Sequence, residues 1–187
     1  MTFYFDFYAE QAFLLFIKDY LSSTRTATSY SDYSDAETSH CAVCILACAA
    51  TIEAMVNRLF IQKGCFKHFD ELRLKSKIET LADVGGVSID WGKGPWQQVA
   101  ELIKARNWLA HFKDTTIGLI GAEDTWVVDD INKPPKLDPK VVLTPPTIRK
   151  YYDALREALR ALAAGLEVNN HHYDFLDSEH YNLIVVG

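Results

Sequence analysis

The sequence predicts an all-α fold, a bundle of about five helices carrying one small β element. Three observations lead there. Five segments place apolar residues at helical spacing, residues that start and stop helices stand at their ends, and only two short stretches favour strand. The 187 residues suit a single domain, 1–187, and are enough to bury a core without disulfides.

Phe13, Leu14, Ile17 and Leu21 share one face of a first helix spanning Phe5 to Leu21. Residues 22–34 are rich in Ser, Thr and Tyr and read as a loop. Ser34-Asp35-Ala36-Glu37 has the pattern of a capping box, in which the Ser and Glu side chains satisfy backbone amides that a helix start leaves free. A long second helix is therefore expected from near Asp35 to Gln62, with Gly64 as its C-cap. A shorter third helix is expected over Phe69 to Ala82. Pro95 then opens a fourth, to Phe112.

Thr115 to Ile120 and Thr125 to Val128 are β-prone and read as a hairpin. A Pro-rich connection, Ile131 to Pro146, leads to a final helix over Thr147 to Leu166. Its face is built from Ile148, Tyr151, Leu155, Leu159 and Leu162. The apolar tail, Asn182 to Gly187, is a candidate to pair with the hairpin.

A net charge of −6 and a pI near 5.5 argue against a chain that coats nucleic acid over its whole surface, while leaving room for a local basic site. The first residues carry no positive leader, so a cytoplasmic location is expected. The longest apolar run, Cys41 to Ile52, has 12 residues. That is short of the ~20 a bilayer span requires, so no membrane partner is expected. Cys41, Cys44 and Cys48 lie inside that run and read as reduced, buried, small hydrophobes rather than a metal or redox site. His171, His172, Asp174, Asp177, Glu179 and His180 match no strong metal pattern, and neither a metal nor a cofactor is expected. Gly85-Gly86 and Gly92-Lys93-Gly94 lack the context of a phosphate-binding loop and read as turns.

The chemistry gathers on the fourth helix. At about 100° per residue, Val99, Leu102, Ile103, Leu109 and Ala110 form its apolar stripe, and Arg106 falls in the middle. A guanidinium aimed at a core is costly unless it is paired or functional. Asn107 and His111 lie four apart on the border of the stripe, and Trp108 points to the opposite face, where a monomer would expose it. On the second helix, Glu53 and Asn57 border a stripe of Ile45, Cys48, Ala49, Ile52, Met55, Val56 and Leu59. Glu53 is then a counter-charge for Arg106, a group that orients His111, or a plain surface carboxylate.

Such a set suits metal-free RNA cleavage by the ribose 2′-hydroxyl. Histidine titrates near neutrality and can move the proton. Arginine matches the developing phosphorane charge, and Asn107 adds a donor.

Lys104-Ala105-Arg106-Asn107-Trp108-Leu109-Ala110-His111 resembles the signature of the HEPN superfamily, an Arg followed by a polar residue and then a His. The resemblance implies an up-and-down bundle of four or five helices that forms a two-fold homodimer. It also implies endoribonuclease activity without metal, leaving a 2′,3′-cyclic phosphate, in toxin–antitoxin or anti-phage settings where an antitoxin partner is expected. Arg106, Asn107 and His111 match the motif, and Glu53 resembles an acidic position on an earlier helix. Trp108 would then lie at the dimer interface.

Arg58, Lys63, Lys67, Arg73, Lys75 and Lys77 cluster between the second and third helices. With Lys104 and Lys113 beside the motif, they are candidates for a phosphate-binding lip, and Asn57 is a candidate substrate contact. The rival reading is a non-catalytic module that binds nucleotide, RNA or a protein, with Arg106–Glu53 as a buried structural pair.

Overall fold

The computed structural model describes residues 9–24, 35–64, 71–110, 137 and 139–168. These form α1 (Ala9–Ser23), α2 (Asp35–Lys63), α3 (Leu74–Gly85), α4 (Gly94–Ala110), α5 (Pro139–Val142) and α6 (Pro145–Gly165). Five are long helices and α5 is a single turn, so the fold of the described residues is all-α. The expected hairpin, the C-terminal tail, Ser34 of the capping box, His111 and Lys113 lie outside the described residues.

α2 is the organising element and packs against α1, α3, α4 and α6. Every residue of its expected stripe, from Ile45 to Leu59, is buried. α1 runs antiparallel to it, because Glu10 pairs with Arg58 while Tyr20, near the other end of α1, meets Cys41. α6 closes the bundle against α4, α2, α3 and α1, and all five residues of its expected face are buried. Apolar side chains of this size each contribute about 1.5–3 kcal/mol when fully buried. The stripes of α2 and α6 therefore drive the packing far more than helix propensity does.

Among the described residues α2 is the one helix long and apolar enough to cross a membrane. The Cys41–Ile52 run alone understates its apolar length. Most of that helix is nevertheless enclosed by its neighbours, as in the core helix of a bundle.

The helix ends follow local chemistry. α2 stops at Gly64, which takes φ +61° and donates its amide to the Ile61 carbonyl. α3 ends the same way, with Gly86 at φ +64° and the Val87 amide reaching back to Ala82. The start of α3 departs from expectation. It begins at Leu74 rather than Phe69, after an extended Arg73 whose side chain makes no cap bond. The apolar period alone does not mark that boundary, because the N-cap position is held by Arg73, which is not a capping residue type. The Pro-rich connection contains the short α5. α6 begins two residues early, because Pro145 and Pro146 are preset for a first turn.

Candidate functional site

Trp96, Val99, Leu102 and Ala105 form the buried row of α4. Ile103 and Leu109 are half-buried and Ala110 is exposed, so the row is turned toward Ala105 relative to the expected stripe. α4 packs against both α2 and α6, and contact with two neighbours sets which residues it seals. Arg106 follows the sealed Ala105 near the end of the described part of α4, and the residue as a whole is half-buried rather than enclosed.

Arg106 Nη1 donates to Asn107 Oδ1 at 3.0 Å. Asn107 and Lys104 are exposed. Two of the motif's three groups are therefore in contact near the end of the described part of α4. Its histidine, His111, follows one residue beyond the described part of α4.

Glu53 is half-buried on α2, as expected for the border of its stripe. Among the described residues no hydrogen bond or ion pair joins it to Arg106. The expectation that Glu53 is the counter-charge of Arg106 is corrected: a half-exposed guanidinium keeps part of its hydration and does not require a buried carboxylate.

Trp108 is also corrected. It is half-buried and packs against the core of its own chain rather than standing exposed. It therefore gives no support to a dimer interface.

The expected basic lip is not one surface. Lys77 is 3% exposed and donates to Asn57 Oδ1 at 2.8 Å, tying α3 to α2. An ammonium so placed has lost its water and serves the helix interface. Arg58 is paired with the buried Glu10 of α1. Lys75 lies over the Trp91 ring at 4.8 Å, while Trp91 Nε1 donates to Glu79 Oε1 at 2.9 Å. Of the described cations in that group, Lys63, Arg73 and Lys75 are exposed. Sequence reasoning misses the Glu10–Arg58 pair, although it contains one signal. Glu10 lies four residues before Leu14 on the sealed face of α1, where a carboxylate needs a partner just as a guanidinium does.

Cys41, Cys44 and Cys48 are free thiols buried on α2, in agreement with the sequence reading. The Tyr20 hydroxyl lies 3.1 Å from Cys41 Sγ. Burial pushes the Cys44 thiol up to about 12 and Tyr151 up to about 12, and raises Tyr20, Cys41, Cys48 and Tyr152 as well. Their protons are thus held more tightly in the folded chain than in the unfolded one. Stability from these groups is intact below the ordinary thiol value of 9.0 and drains away as pH rises toward 12. Each fully titrating group removes about 1.4 kcal/mol per pH unit in that window. Thermal melts are expected to hold a steady Tm up to about pH 9 and to fall steeply above it. A flat Tm to pH 11 would contradict the burial of these groups. Raised thiol values also make the cysteines poor nucleophiles, which leaves Arg106 and the exposed Asn107 of α4 as the better candidates for chemistry.

Comparison with protein-family models, with curated proteins and with solved structures found no match to this chain.

Proposed function

We propose that the chain is a metal-independent endoribonuclease of HEPN type, acting as a homodimer on RNA, with Arg106, Asn107 and His111 as its working groups. The observation that carries this reading is the contact between the Arg106 and Asn107 side chains near the end of the described part of α4, with His111 four residues after Asn107 in the sequence. Arg106 supplies a planar, always-charged fork to the phosphate oxygens. His111 moves the proton of the 2′-hydroxyl or of the leaving oxygen, and Lys104 adds local positive charge. Lys77 and Asn57, engaged with each other, have no part in this proposal.

The test is cleavage of a labelled RNA in excess chelator by wild type, His111→Ala and Arg106→Ala. Wild type is expected to cut and leave 2′,3′-cyclic ends. Each variant is expected to stay folded and cut about 100-fold more slowly or worse. Equal cleavage by all three proteins would reject the assignment. An RNA left intact by folded wild type, together with RNA or nucleotide binding, would instead support the non-catalytic module.

A further inference from the structure

We propose that Trp91 and Glu79 form a cation seat that takes a small quaternary ammonium ion, and that the Lys75 ammonium is its resident stand-in. None of these residues belongs to the motif of α4.

Trp91 lies in the connection between α3 and α4. Asp90 fixes the turn there: its side chain accepts from the Gly92 amide at 2.9 Å and its carbonyl from the Lys93 amide at 3.1 Å. Trp91 Nε1 donates to Glu79 Oε1 at 2.9 Å. Trp96, buried at the start of α4, meets the Trp91 ring edge-to-face with centroids 6.1 Å apart. The indole is thus held by its backbone, by its nitrogen and by a neighbouring ring. Lys75 Nζ lies over that ring, 4.8 Å from the centroid and 3.9 Å from Glu79 Oε1. A ring face and a carboxylate therefore converge on one positive charge, the combination that favours a cation.

Lysine fills this seat poorly. Its ammonium has three N–H donors, the ring offers them no lone pair, and Glu79 Oε1 at 3.9 Å is beyond hydrogen-bond distance. The ammonium is strongly hydrated and the Lys75 side chain is 52% exposed, so it can exchange the ring for water at little cost. A quaternary ammonium ion carries the same charge with no N–H to satisfy and a weaker hold on water. An aromatic face beside a carboxylate suits that ion better than it suits lysine.

The probe is tetramethylammonium chloride, titrated into the whole chain against sodium chloride at equal ionic strength. The readout is the indole Nε1–H signal of Trp91 in nitrogen-15 NMR, assigned by its loss in Trp91→Phe. Tetramethylammonium is expected to shift this signal to a saturating limit, and sodium is not. Lys75→Ala removes the resident charge at an exposed helix position and is expected to lower the Kd about fivefold. Glu79→Gln keeps an acceptor for the indole. It is expected to leave the Trp91 signal near its wild-type position and to raise the Kd about fivefold. Simple damage to α3 would weaken binding in both variants rather than move it in opposite directions.

A Trp91 shift equal in the two salts overturns the seat. A Kd unchanged in Lys75→Ala overturns the role of Lys75 as stand-in, and a Kd unchanged in Glu79→Gln overturns the part played by the carboxylate.

Discussion

Arg58→Ala is expected to lower the unfolding free energy by about 3–5 kcal/mol, the range for stranding one partner of a buried ion pair. Glu10, near the start of α1, is 3% exposed and its carboxylate meets the Arg58 guanidinium of α2. Without Arg58, that carboxylate must stay buried and uncompensated, take up a proton, or pull the start of α1 away from α2. Each route costs stability, and a domain's total is only about 5–15 kcal/mol. Urea unfolding of the variant gives the number. The double variant Glu10→Leu/Arg58→Met is expected to recover most of the loss, because an apolar pair of similar volume suffers no desolvation cost. A loss under about 1 kcal/mol in Arg58→Ala would place the pair in high dielectric, like a surface bridge, and contradict its burial.

The second large effect is expected at Gly165. Alanine normally improves a helix by about 1 kcal/mol over glycine. Here the gain is outweighed, because a Cβ on Gly165 would sit 2.7 Å from the Gly85 carbonyl oxygen and would overlap a methyl of Val87. The Val87 side chain can turn aside, but the Gly85 carbonyl is backbone at the end of α3 and yields only by shifting the helix. Gly165→Ala is thus expected to destabilise by about 1–3 kcal/mol. Tm should fall by about 2–4 °C for each kcal/mol in a chain of this size. Adding Val87→Ala should restore only part of the loss, since the carbonyl remains. A Tm equal to or above that of wild type would show that α3 and α6 do not approach so closely. Nothing in the local sequence distinguishes Gly165 from an ordinary helix end. Its role depends on α3, which lies far earlier in the chain.

Much of the candidate site is legible in the amino-acid sequence. The run Arg106-Asn107 with His111 four residues on is a local pattern, and the helix that presents Arg106 and Asn107 is punctuated by Pro95. Glu53 and Asn57 fall at the edge of the α2 stripe because helical phase alone sets that angle. The partners of those edge residues are not legible. Asn57 meets Lys77 and Arg106 meets Asn107, whereas the helical wheel suggests Arg106 with Glu53. Two helices that share compatible stripes still have a choice of neighbour, register and crossing angle, and a single wheel contains none of these.

The sequence by itself determined that the described residues fold as helices, which faces of α2 and α6 become core, and where glycine ends α2. These follow from a 3.6-residue repeat and from the backbone freedom of single residues, both local properties. Only the tertiary structure decided that Lys77 is an interior group, that Trp108 packs partly on its own chain's core, that Gly85 and Gly165 touch, and that Arg106 is not sealed. Burial of a given side chain depends on which helix lies over it. That choice belongs to the packing of the whole bundle, where the apolar stripes of α2 and α6 outweigh any single polar contact.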